Sequence, residues 1–237
     1  MGAIRINVCD TETTGFAVPP DGDIVEIAVT PLNVLYDDFG MLKDIKVGET
    51  VSQLANPECS ISWEAMAVHH ITAKMVAGED SADIVKAKFR QMPCDYWAFH
   101  NAAFDLKFFK VDQPVICTLE TSRIIYPQAP SHKNQVLRYW LDLDSMMKKE
   151  RMGETHRAGF DTYCTALLLA KMIMTKKMDL QDMAKIQDSP IYMGNIGFGK
   201  HKGTPWAQVP ASYLIWLREN STDVKAIATA RHYLQRK

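Results

Sequence analysis

Hydrophobic and polar positions change their period several times along the chain. Ile4-Arg5-Ile6-Asn7-Val8-Cys9 alternates apolar with polar and then meets a carboxylate and a Thr/Gly-rich turn, which predicts a strand ending at a loop. After Pro19-Pro20-Asp21-Gly22, the β-branched run Ile24 to Thr30 predicts a second strand, and Asp37-Asp38-Phe39-Gly40 a hairpin into a third strand near 41–51. Short helices are expected from Ser62 to Val68 and from Ala82 to Arg90, the latter capped by Ser81 or Asp80. Tyr96-Trp97-Ala98-Phe99 reads as a compact strand, followed by a helix carrying Asp105, Phe108 and Phe109; Pro114 to Cys117 reads as another strand and Asn134 to Trp140 as a helix. The clearest helix runs from Phe160 to about Met174, with Cys164, Leu167, Leu168 and Met172 on its apolar side. A meander followed by alternating strands and helices predicts an α/β fold, a mixed sheet flanked by helices, ending near residue 178. Residues 179–237 read as a linker helix capped by Asp179, a Gly-rich stretch through Gly203 and a final helical pair, about 212–218 and 222–235: a small C-terminal extension.

Composition narrows the class. At 237 residues, 47% hydrophobic and 23% charged, the chain is long enough for one sizeable core. Its net charge of −1 provides no global attraction for a polyanion, so nucleic-acid binding has to come from local basic clusters or from metal ions. Lys148-Lys149-Glu150-Arg151 and Lys176-Lys177 read as solvated faces, whereas Lys200-His201-Lys202 is a candidate phosphate contact. Five scattered cysteines without a Cys-x-x-Cys pair suggest reduced thiols, and Arg5 and Asp10 interrupt any signal-peptide pattern. Ala166 to Met174 is too short, and interrupted by Lys171, to span a bilayer. The expectation is a cytoplasmic protein of a bacterial or phage-infected cell, without membrane association.

Three segments carry the candidate chemistry: Asp10-Thr11-Glu12, His100-Asn101-Ala102-Ala103-Phe104-Asp105 and His156-Arg157-Ala158-Gly159-Phe160-Asp161. Together they supply four carboxylates and, in His156, an imidazole beside the last of them, the parts required for metal-assisted phosphodiester cleavage. Two carboxylates about 4 Å apart repel by about 4 kcal/mol at an effective dielectric of about 20, so a cluster of four calls for cations. An all-oxygen donor set suits two Mg²⁺ ions, with Mn²⁺ able to substitute. Asp10 and Glu12 are two apart on an extended strand end and point the same way. His156 precedes the long helix and belongs to the residue type that titrates near neutrality, as a general base needs. Each segment alone is unspecific; their joint occurrence, in order, at strand ends and helix starts is not.

The three segments, with Asp10-Thr11-Glu12-Thr13-Thr14-Gly15 and Ile24-Val25-Glu26-Ile27-Ala28, resemble the DEDDh branch of the DnaQ-like 3′–5′ exonucleases. That resemblance implies a ribonuclease H-like fold and metal ligation by Asp10, Glu12, Asp105 and Asp161. It implies His156 as general base, and release of nucleoside 5′-monophosphates from DNA 3′ ends. Ala65-Met66-Ala67-Val68-His69-His70-Ile71-Thr72 looks like the segment where the family places the terminal nucleotide. Thr11, Thr13, His69, Asn101 and Phe104 are then candidate substrate contacts, with plain core packing an equal alternative for Phe104. Phe198 to Gly203 and Tyr213 to Leu217 are similar to a C-terminal extension found in one group of the family. Departures are the proline-containing loop Val18-Pro19-Pro20 and the segment Pro127 to Arg151.

Alternatives stay open at this point: a ribonuclease of the same branch, similar to ribonuclease T or oligoribonuclease, or a non-catalytic nucleic-acid-binding protein on the same fold. A homodimer is likewise open. Gly194 to Lys200 satisfies most of a P-loop, but His201 stands where Mg²⁺ coordination needs Ser or Thr, and Thr204-Pro205 breaks the following helix. The stretch reads better as a lysine surface for phosphates around Lys200 and Lys202, with Trp206 or Trp216 available for stacking, or as the turn scaffold of a small fold with Trp216 in its core.

Overall fold

A computed structural model describes residues 2–186, 195–221 and 223–236. In chain order the strands and first helices are β1 (Gly2–Thr13), β2 (Ile24–Tyr36), β3 (Leu42–Val47), β4 (Val51–Leu54), α1 (Trp63–His69), α2 (Ala73–Val76), α3 (Ala82–Arg90), β5 (Tyr96–Phe99), α4 (Ala102–Asp105) and β6 (Val115–Cys117). The remaining helices are α5 (Thr118–Ile125), α6 (Asn134–Trp140), α7 (Ala158–Met174), α8 (Leu180–Lys185), α9 (Ala211–Asn220) and α10 (Val224–Leu234). No helix among the described residues is long and apolar enough to cross a membrane.

The sheet order is β3-β2-β1-β5-β6, with β4 also pairing β2. β1, β2, β3 and β4 form an antiparallel meander, whereas β1, β5 and β6 run parallel, which gives the expected mixed sheet. Alternation along β1 sorts its side chains between the two faces. Ile6 and Val8 join the core that covers α7, while Cys9 joins the opposite core beneath α3 with Trp97 and Phe109. α7 is buried on nearly every side rather than along one stripe, because α6, α5 and the sheet enclose it.

Several elements depart from the sequence reading. β2 continues through Pro31 to Tyr36, and the single strand expected at 41–51 is two, β3 and β4. The break falls where Gly48 donates its N–H to the Pro31 carbonyl at 2.7 Å and turns the chain along the same edge of β2. α4 is a single turn, so Phe108 and Phe109 follow it in a tight loop; their rings fill the α3-side core. α2 and α5 are additional helices. Leu180 and Met183 of α8 join the main core, so the helix read as a linker is packed against the sheet domain.

The C-terminal unit has a separate small core of Ile196, Trp206, Val209, Leu214, Leu217, Ala226 and Ala230. Trp206 is completely buried there and unavailable for stacking, whereas Trp216 lies outside the core, half exposed. Residues 187–194, which include the beginning of the Gly-rich stretch, lie outside the described residues. Lys225 Nζ reaches Glu120 Oε1 of α5 at 2.9 Å and ties α10 to the sheet domain.

Candidate functional site

Asp10 and Glu12 extend the face of β1 that begins with Ile6 and Val8, so both side chains turn toward the start of α7, where Asp161 sits in the first turn. One oxygen from each of Asp10, Glu12 and Asp161 falls within 4.8 Å of the others, a spacing that suits a shared cation. Asp105 approaches from α4, the single turn that follows the neighbouring parallel strand β5, and its Oδ1 accepts from the Thr11 backbone N–H at 3.2 Å and the Thr11 hydroxyl at 2.8 Å. Asp105 is thus anchored between the two β1 acids in sequence but lies outside the closest triad.

Burial and mutual repulsion set the electrostatics. Desolvation first, then the charges of Asp105, Glu12 and Asp161, hold Asp10 well above the usual carboxylate range. Burial, then Asp161 and Glu26, push Glu12 up to about 9. Burial raises Asp105 to about 7 despite the stabilising Thr11 hydrogen bonds, and Asp161 is raised by burial as well. A bare cluster of this kind resists ionisation, and a cation among the oxygens reverses that preference. The donor set therefore fits a hard divalent ion.

Asp161 is held from two sides. Its Oδ2 accepts the His156 backbone N–H at 2.8 Å and its Oδ1 accepts Gln135 Nε2 at 2.7 Å. His156 stands exposed on the turn before α7 with φ of +61°. Its peptide N–H thus aims at the acid while its ring remains open to water and ligand.

A fifth carboxylate underlies the site. Glu26 of β2 lies directly across from Glu12 and is almost fully buried. Its oxygens accept Arg157 Nε and Nη2, each at 3.1 Å, the Ala158 backbone N–H at 3.1 Å and the Ser52 hydroxyl at 2.8 Å. Glu26 thereby caps the N-terminus of α7, where the helix dipole favours a negative charge, and fixes the turn that presents Asp161. Neither Glu26 nor Gln135 was singled out from the sequence. For Glu26 a signal existed, an acid inside a continuous apolar strand, since such a buried charge needs a partner; for Gln135 there was none. Glu26→Ala strands Arg157 and uncaps α7, and should cost about 3 kcal/mol, the low end for a broken buried pair because Arg157 still reaches water. Urea unfolding measures that loss, and a variant as stable as the parent would show that the pair carries no structural weight.

Beside the acids opens a cavity of about 680 Å³, lined among others by Thr11, Glu12, Thr13, Phe16, His69 and Phe104. Phe16, 89% exposed, meets Phe104 edge-on at 6.1 Å at its rim. The loop between β1 and β2, which carries Phe16, is closed at its base by the Thr14 N–H donating to the Asp23 carbonyl at 2.8 Å. The structure places the expected substrate contacts differently from one another. Thr11, Thr13, Phe104 and His69 line the cavity. Thr13 spends its hydroxyl on the Gly15 carbonyl at 2.8 Å. His69 is buried; its Nδ1 accepts the Ile71 N–H at 2.9 Å, leaving Nε2 as the donor to Thr13 O at 3.1 Å. Both ring nitrogens are committed to backbone, so His69 braces the cavity wall and offers no free polar atom. Asn101 is exposed in a left-handed conformation, φ +80°, at the start of α4. Lys200 and Lys202 belong to the C-terminal unit. Arg151 is not simply solvated: its guanidinium lies 3.7 Å above the Tyr163 ring.

Comparison with known proteins gives a consistent answer. The RNase T family model, described as exonuclease, matches residues 8–170. Over 236 residues, 97% of this chain and 99% of the relative, the chain is 30% identical to exodeoxyribonuclease 10 of Escherichia coli (strain K12). It is 27% identical over 230 residues to the PolC-type DNA polymerase III of Clostridium perfringens (strain 13 / Type A), covering 92% of this chain but 14% of that polymerase. Among solved structures, exonuclease X in complex with 5′ overhanging duplex DNA aligns with a TM-score of 0.61 and 29% identity, over 76% of this chain and 98% of that one. Cell-death related nuclease 4 shares the fold, with a TM-score of 0.52, 14% identity and 97% coverage of each chain.

Proposed function

The chain belongs to the RNase T family of exonucleases, and we propose that within it this protein is a 3′–5′ exodeoxyribonuclease with a two-metal site and a histidine base. The observation that carries the reading is the convergence of Asp10, Glu12 and Asp161 within 4.8 Å, with Glu12 also lining the 680 Å³ cavity. Asp10, Glu12, Asp105 and Asp161 would hold two Mg²⁺ or Mn²⁺ ions. When bound, such ions supply charge compensation for the phosphate and polarise the attacking water. The Phe16–Phe104 rim offers aromatic faces for the terminal base, and Thr11 and Thr13 line the wall on which its sugar would rest. His156, on its turn beside Asp161, takes the proton of the attacking water. The water oxygen bonds to phosphorus as the bond to the 3′ oxygen of the preceding nucleotide breaks; that oxygen takes a proton from solvent and remains as the strand's new 3′ hydroxyl, and a nucleoside 5′-monophosphate is released. DNA is favoured as substrate because the full-length relative at 30% identity is named an exodeoxyribonuclease.

The test is an end-labelled oligonucleotide panel, DNA and RNA, single-stranded and duplex, with Mg²⁺, Mn²⁺ or EDTA. A 5′-labelled DNA should shorten in single-nucleotide steps with Mg²⁺ and remain intact with EDTA. Release of the 5′ label as a mononucleotide at the outset would reverse the polarity, and degradation of RNA alone would move the substrate to the other sugar.

A further inference from the structure

Charge is divided sharply along the chain. Residues 195–237 contain seven Lys and Arg against two Asp and Glu, whereas residues 1–194 contain twenty against twenty-six. The near-neutral total therefore hides a basic C-terminal unit attached to an acidic catalytic body.

The exposed face of that unit is built rather than incidental. Between Ile196 and Thr204 the chain doubles back: Ile196 N donates to Thr204 O at 2.9 Å and Gly203 N to Ile196 O at 2.7 Å. Gly199, with φ of +66°, sits so close to the Tyr213 hydroxyl that a Cβ there would collide with it. This contact lays the Lys200-His201-Lys202 turn over α9. The His201 ring meets Tyr213 at 4.6 Å, and Tyr213 stacks on Trp216 at 5.6 Å with 23° between planes. Trp216 is 52% exposed although Trp206, ten residues earlier, is fully buried in the same unit. The core is thus complete without Trp216, and its indole is left as an open platform. Lys200 and Lys202 are exposed beside it, and among the described residues neither ammonium has a carboxylate partner.

We propose that the Tyr213–Trp216 stack with Lys200 and Lys202 is a second nucleic-acid site, one that holds single-stranded DNA away from the catalytic cavity. Bases stack on the aromatic pair, and the two ammonium groups neutralise the flanking phosphates. The surface rests on the exonuclease reading for its purpose, since it keeps a substrate strand near the acids between cleavage events. Its binding, however, requires no hydrolysis.

A fluorescein-labelled circular single-stranded oligodeoxynucleotide separates the two, because a circle has no 3′ terminus for the cavity. Anisotropy with the full chain in EDTA should show binding that Trp216→Ala weakens about tenfold or more, with Trp216→Phe restoring most of it. The double variant Lys200→Ala, Lys202→Ala should lower the slope of log K against log salt by about 1.4. Thermal melting of each variant verifies that the fold is retained. Failure of the full chain to bind the circle at low salt would overturn the proposal and leave the surface for a protein. So would a folded Trp216→Ala protein that binds the circle as tightly as the parent. Neither result would touch the exonuclease reading, which stands or falls on the linear substrates.

Discussion

Asp10→Asn should yield a folded protein that has lost at least about a thousandfold in Mg²⁺-dependent hydrolysis, several kcal/mol of transition-state stabilisation. The same variant should be more stable than the parent when metal is removed. Asp10 lies among Glu12, Asp105 and Asp161, each of which raises its affinity for a proton, so its negative charge works against the metal-free fold. Glu12, raised to about 9, and Asp105, raised to about 7, bind protons more tightly in the folded protein than in the unfolded chain. Their contribution to stability is therefore full below the ordinary carboxylate range near pH 4 and is lost as pH rises through about 7 and then about 9. In EDTA the parent should melt progressively lower from pH 5 to 9; Asp10→Asn should flatten that decline. Mg²⁺ should raise the parent's melting temperature most at the alkaline end. Calorimetry across this range checks the sign, and rates on a 5′-labelled oligonucleotide check the loss. A variant that still turns over at the parental rate would place the chemistry elsewhere, and a parent whose metal-free stability increased toward pH 9 would contradict the crowding of the acids.

His156→Gly should lower kcat by about 10²–10⁴-fold, the usual contribution of a general base, while leaving stability unchanged or slightly raised. Glycine is chosen for a structural reason. The His156 backbone N–H that supports Asp161 survives the change, and the left-handed φ of +61° is one that glycine adopts without strain. Only the imidazole is lost. Because the turn is exposed, added imidazole should recover part of the rate. An unchanged rate would remove His156 from the proton transfer; a collapse in melting temperature would show that the ring supports the turn.

What could be read from the sequence was local. The alternation in β1, the boundaries of α6 and the Asp179 cap of α8 are written in neighbouring residues, and the structure reproduces them. The two-residue spacing of Asp10 and Glu12 was enough to place both on one face, and the start of α7 enough to bring Asp161 within reach. What escaped depends on residues distant along the chain. The split between β3 and β4 follows from Gly48 meeting Pro31, and α5 follows β6 directly, with no turn residues to announce it. Gln135 touches Asp161 only because α6 packs against α7. Choosing between Trp206 and Trp216 required knowing which indole the C-terminal core enclosed. A sequence marks both as aromatic and neither as buried.

The long ladder between β1 and β2 divides the site into parts of unequal thermodynamic depth. From Gly2 to Glu12 every residue of β1 has a partner on β2, so Asp10 and Glu12 are fixed as firmly as the sheet itself. Phe16, the loop behind it and the turn that displays His156 are surface segments anchored at their ends. Foundation and rim can thus drift separately over evolutionary time: on the proposed reading, new loops would redefine which termini are admitted while the acids beneath kept the same chemistry.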